Sequence, residues 1–167
     1  MVIALQDLKI IQLVTGFMDR DQVLRKQLIS LLEKNQAHMD FFEAIEDFPK
    51  EKINYVFTNG TYTFWQLLEH MRITQNDLVE SLLDPKYKEK EWPKEFWPPI
   101  SKKASPADWA GTISRFKKDL NKLIKLISDP GSELDFMLNK VLEISSHNSY
   151  HIGEFAIMRQ VMEVWEE

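Results

Sequence analysis

The sequence predicts an all-α protein, a four-helix bundle with a short extra helix near its N-terminus. Three observations carry this. Apolar residues recur at three-to-four spacing along most of the 167 residues, the period of an amphipathic helix. Alternation of β-branched and polar residues is hard to find, and Gly is scarce, with five in all. Helix start and stop signals also bracket long apolar-periodic runs.

In chain order, a short amphipathic stretch, Leu5 to Phe17, precedes a long one from about Val23 to Glu46. The long one carries Leu24, Leu28, Leu31, Leu32, Phe41, Phe42 and Ile45 and should end at Phe48-Pro49, because a residue before proline avoids the α region. A loop through Asn59-Gly60 follows. Thr63 and Gln66 then form a capping box, with Tyr62 and Leu67 placed as a hydrophobic staple. That helix should run to Leu83, where Asp84-Pro85 stops it. Residues 84 to 105 hold four of the seven prolines together with Tyr87, Trp92, Phe96 and Trp97. Aromatics at such density need burial, so this Trp/Pro-rich stretch is expected to pack as an irregular loop. Ser105-Pro106 opens the next helix with an N-cap and a proline at N1. It carries Trp109, Ile113, Phe116, Leu120, Leu123 and Ile127 and stops at Asp129-Pro130-Gly131. The last helix spans roughly Leu134 to Met162. No internal repeat or low-complexity segment divides the chain, so 1–167 reads as one domain.

Composition excludes several function classes. Net charge is −5 from 21 basic and 26 acidic residues, with no basic cluster, which disfavours nucleic-acid binding. Cys is absent, so the chain offers no disulfide, thiolate ligand or Cys nucleophile. Gln6, Asp7 and Lys9 interrupt the N-terminal apolar residues, so no signal peptide is expected. Uncharged stretches are too short to span a bilayer. These features fit a soluble cytoplasmic protein with neither a nucleic-acid nor a membrane partner.

His147 and His151 stand four apart, hence on one face of the last helix with Cβ atoms about 5–6 Å apart. At about 100° per residue, His151 falls roughly 20° from the centre of the apolar stripe and His147 roughly 60°. Both point inward. The pair alone admits two readings, packed core histidines or two ligands of one metal ion. His70 lies at the edge of the apolar stripe of its own helix, within reach of a neighbour. An inward pair joined by a His on another helix is a known way to build a bundle metal site. His38 falls on the stripe of Leu31, Phe42 and Ile45 and reads as a core histidine bonded to a carbonyl or carboxylate.

Two segments resemble the DinB/YfiT-like metal-binding four-helix bundles. Tyr62-Thr-Phe-Trp65-Gln-Leu-Leu-Glu69-His70-Met-Arg72 is similar to the family's Thr-x-Trp-x-Leu-Leu-x-His helix start. His147-Asn148-Ser-Tyr150-His151-Ile152-Gly153, followed by Arg159-Gln160, is similar to its His-Asn-x-x-His-Ile-Gly segment. The resemblance covers the chain from the first long helix onward. It implies a divalent metal, zinc or nickel, held by His70, His147 and His151, with His38 outside the site. It also implies a small-molecule substrate, a homodimer, and transfer of a low-molecular-weight thiol such as bacillithiol onto electrophiles. The alternatives are a metal-dependent hydrolase and a non-enzymatic metal-binding or stress-related protein.

Three neutral imidazoles leave a cation its full charge and an open position, as in catalytic sites. Where a His-Glu-x-x-His metalloprotease carries its general base, this chain has Asn148. Glu69 and Glu154 read as surface or second-rank carboxylates near the metal. Tyr150 and Arg159 read as helix surface, with binding of an anionic substrate as the alternative.

Overall fold

The computed structural model describes residues 20–33, 37–56 and 60–165. Within them the protein is all-α. Helix α1 covers 20–32, and α2 (Phe41–Ile45) and a 3₁₀ turn (Lys50–Lys52) precede α3 (Phe64–Leu83), α4 (Pro106–Ser128) and α5 (Leu134–Val161). The described residues hold no strand, only an isolated bridge between Val56 and Thr63. The short helix expected over Leu5–Phe17 and the turn residue Asn59 lie outside the described residues. No helix among the described residues is long and apolar enough to cross a membrane.

The three long C-terminal helices start and stop where the sequence signals put them. Thr63 accepts from the Gln66 amide while Gln66 accepts from the Thr63 amide, and Ser105 and Asp108 do the same at α4. Two orphan amides are satisfied at each start. The end of α4 has a clamp with no sequence signature. Arg25, buried on α1, donates to the Ile127 and Asp129 carbonyls at 2.8 and 2.9 Å and to the Ser132 carbonyl at 2.7 Å. A cation on the final carbonyls of a helix also complements its dipole.

The single long helix expected from Val23 to Glu46 is corrected. Residue 33 and residues 37–40 are outside any helix, and the next described helix opens at Phe41. Asp40 is the reason at the second start. Its side chain accepts from the Glu43 amide at 2.8 Å, and Glu43 accepts from the Asp40 amide at 2.7 Å. This capping box competes with helix continuation, since Asp side chains offer the backbone local alternatives.

Helix α3 is the axis of the fold, packed against both α4 and α5, while α2 packs on α5. The buried apolar side chains form two clusters. One gathers Phe48, Phe64, Trp65, Trp109, Phe116 and Phe155. The other gathers Leu28, Leu78, Leu123, Ile127, Val141 and Ile144, joining α1 to the long helices. The loop 84–105 runs back along α3, bonded to side chains on that helix. Asp77 accepts from the Tyr87 hydroxyl at 2.8 Å, His70 meets the Phe96 carbonyl at 2.9 Å, and Gln66 donates to the Ile100 carbonyl at 3.0 Å. Its aromatics do not all go inside: Phe96 is buried, but Trp92 stands 65% exposed.

Candidate metal centre

Capping at Thr63 places His70 two turns into α3, and α5 carries His147 and His151 one turn apart on the face that packs against it. The three rings meet. Their centroids lie 5.1 Å (70 to 147), 4.9 Å (70 to 151) and 4.5 Å (147 to 151) apart. One nitrogen from each lies within 4.8 Å of the other two. His70 and His151 are buried and His147 is half-buried. His70, expected at the edge of its helix's apolar stripe within reach of a neighbour, is 1% exposed and meets the two histidines of α5. Helices α4 and α5 flank α3 on two sides, and the 84–105 loop covers the side on which His70 emerges.

Each ring's chemistry follows from its other nitrogen. His70 Nδ1 faces the Phe96 carbonyl at 2.9 Å. A carbonyl only accepts, so Nδ1 carries the proton and Nε2 presents a lone pair. Trp97 stacks on this ring at 3.9 Å, nearly parallel at 3°. His151 Nδ1 faces Glu154 Oε2 at 2.8 Å, again an acceptor, so its Nε2 is also a lone pair. Glu154 is held in turn, its Oε1 accepting from the Tyr62 hydroxyl. Tyr62 stacks on Trp97 at 4.9 Å, which links the supports of the two histidines. A carboxylate behind a ligating imidazole fixes its orientation and raises its basicity.

Burial keeps the rings neutral. It pushes His70 down to about 4, against the opposing Phe96 carbonyl. It pushes His151 down to about 3, helped by the neighbouring His147 and His70 rings. It lowers His147 as well, with Asn148 working the other way.

His147 supplies the test of fit for a metal. Its Nε2 lies 3.2 Å from His70 Nε2, and its Nδ1 is buried with no hydrogen-bond partner. If Nδ1 holds the proton, two lone pairs face each other at 3.2 Å. If Nε2 holds it, a buried Nδ1 acceptor goes unsatisfied, at a cost of about 1–3 kcal/mol. A cation coordinated by all three Nε2 atoms removes the lone-pair conflict. The donor set suits the ion.

Asn148, between His147 and His151 in sequence, is not a base. Gln75 Nε2 donates to the Phe116 carbonyl at 2.9 Å, which fixes Gln75 Oε1 as the acceptor of Asn148 Nδ2 at 3.0 Å. The amide bridges α3 to α5. Glu69 also stays away from the cluster. Its carboxylate accepts from Arg72 at 2.8 Å and from the Thr112 hydroxyl at 2.6 Å.

Two other sequence expectations change. His38 is exposed, outside any helix, with Nδ1 at 2.8 Å from the Met39 carbonyl. Arg159 is not helix surface. It is 1% exposed and donates to the carbonyls of Ala44 at 2.8 Å and Val164 at 3.1 Å. Tyr150 is surface, at 70% exposure. The Phe96 carbonyl and the Trp97 stack were missed, because a backbone acceptor leaves no mark in a sequence. The link from Glu154 to His151 was legible, since residues three apart are helix neighbours.

No protein-family model, curated protein or solved structure matches the chain. The chemistry therefore rests on these residues and their geometry.

Proposed function

We propose that the protein is a four-helix bundle of the DinB/YfiT-like kind. In this reading His70, His147 and His151 hold one divalent cation, zinc or nickel, and the protein joins a low-molecular-weight thiol, such as bacillithiol, to a small electrophile. The observation that carries the metal is the approach of the His70 and His147 Nε2 atoms to 3.2 Å within a cluster of three histidines that burial keeps neutral.

A cation bound there would lower the pKa of a coordinated thiol or water. The chain's own residues supply the rest. Phe96 and Glu154 hold the Nδ1 protons of two ligands in place, so their Nε2 atoms stay available. The sequence has no Cys, so any thiol must arrive on a bound small molecule. The transfer reading is favoured over hydrolysis by the carboxylates. Glu154 is occupied by Tyr62 and His151, Glu69 by Arg72 and Thr112. Glu154 sits on the Nδ1 side of His151 rather than at its Nε2, and Glu69 is held at Arg72 and Thr112, so neither is placed to take a proton from an attacking water.

The test is metal content in wild type and His151→Ala, after purification from the native source and after dialysis against zinc or nickel. The expected result is one ion per chain in wild type, lost in the variant. Wild type holding no more metal than His151→Ala sinks the reading. With metal established, coupling of thiols to electrophiles separates transfer from hydrolysis.

A further inference from the structure

A cavity of about 510 Å³ lies between the segment 60–62 and the exposed face of α5. Its volume falls in the range of small-molecule sites. Tyr62 and Tyr150 bring two aromatic rings to it, Ile157 and Met158 an apolar wall, and Gly153 an open floor. Among the described residues lining it, Glu154 carries the only charge. That carboxylate accepts one bond on each oxygen, from Tyr62 and from His151, and two carboxylate oxygens offer about four acceptor sites. Acceptor capacity therefore remains.

An anion is repelled here, and a neutral molecule leaves the charge of Glu154 uncompensated, since its two hydrogen-bond partners are neutral. An organic cation satisfies every wall at once. Its charge meets Glu154 and the faces of the tyrosines, which attract cations through the ring quadrupole. Its carbon body lies on Ile157 and on Met158, a side chain that adapts to irregular shapes. We propose that this cavity binds an organic ammonium ion with an apolar body. Two of its lining residues, Glu154 and Tyr150, also touch His151, so binding is measured with and without zinc.

Gly153 provides the decisive variant. A Cβ built there meets nothing within 4 Å, so the first carbon of a side chain has room at this position, and the melting temperature of Gly153→Leu reports whether the rest is accommodated. The substitution also removes a helix-interior glycine, a change that favours the helix. The leucine then fills the cavity floor. The probes are choline and its neutral isostere 3,3-dimethylbutan-1-ol, titrated by ligand-observed NMR into the full chain, both zinc-loaded and EDTA-treated.

The expected result is saturable choline binding in both preparations and about tenfold weaker binding of the neutral alcohol. Tyr150→Ala should weaken choline roughly 2- to 5-fold, the share of one exposed cation–π contact, and Tyr150→Phe should restore it. Gly153→Leu should abolish binding while keeping or raising the melting temperature. Equal binding of choline and the alcohol, choline binding that survives Gly153→Leu, or no choline binding in wild type overturns the proposal. Because the EDTA-treated arm needs no metal, failure here and failure of the metal site are separate results.

Discussion

Acidifying the metal-free protein should weaken it through His70, and the size of the loss can be worked from its burial. The ring is 1% exposed, gives its Nδ1 proton to the Phe96 carbonyl, and has its pKa lowered from 6.5 to about 4. A folded pKa below the unfolded one means that the unfolded chain binds the proton first as pH falls. Stability from the neutral ring is therefore complete above 6.5 and drains away as pH drops toward 4. Between pH 7 and pH 5 the linkage relation gives a loss of about 2 kcal/mol for this one group. The assay is urea unfolding of EDTA-treated wild type and His70→Asn at both pH values. Asn is the right replacement because its Nδ2 can take the place of Nδ1 against Phe96 while removing the titration. Other groups, including His147, His151 and Glu154, titrate in both proteins, so the quantity to read is the difference between the two losses. Wild type should lose about 2 kcal/mol more than the variant. Equal losses would mean that the buried ring is not excluded from protonation, and the account of neutral, lone-pair-presenting histidines would fail with it.

Glu154→Gln keeps an acceptor for His151 but removes the charge behind it, and should weaken zinc binding about 10- to 100-fold in a chelator competition; unchanged affinity would show that the carboxylate does not support the ligand. Asn148→Leu should destabilise by about 1–3 kcal/mol, because Gln75 Oε1 is left buried and unpaired. Joining it to Gln75→Leu should recover part of that loss in thermal melts, which a simple packing defect would not do. Thr63→Ala, which removes the side-chain acceptor of the α3 cap, should cost about 0.5–2 kcal/mol in the same melts, with no loss beyond that if the cap alone is affected.

How much of the fold was legible depended on what ended each helix. Thr63, Ser105, Pro106 and the Asp84-Pro85 and Asp129-Pro130-Gly131 stops act within a few residues of their own position, so the bounds of α3, α4 and α5 fall where the sequence puts them. The stretch from Val23 to Glu46 failed for the opposite reason. Its apolar spacing continues through a break, and the one local sign against continuity is Asp40 with Glu43 three residues on. Periodicity reports which face is buried, not whether the helix is unbroken, and a capping box inside a periodic run outweighs it. Arg159 shows the same limit for polar residues. Charge alone suggests surface, and only the folded chain shows that the carbonyls of Ala44 and Val164 converge on its guanidinium.

At the site, the three histidines that come together were legible and their protonation was not. Spacing brings His147 and His151 to one face of α5, and the capped start of α3 sets the height of His70. Whether a histidine can bind a cation depends on where its second nitrogen points, and each ring has a different answer. His151 is held by a carboxylate three residues away on its own helix, which spacing can reveal. His70 is held by a carbonyl from a loop that folds back along α3, which no side-chain pattern announces. His147 is held by nothing on Nδ1 and is also the most exposed of the three. In the proposed metal site two ligands would thus be held in orientation before a cation arrives, and the third, half-buried, would have no partner on its Nδ1. Association then has to order only one ring, which limits the side-chain entropy lost on binding, and dissociation has to release only that ring to begin.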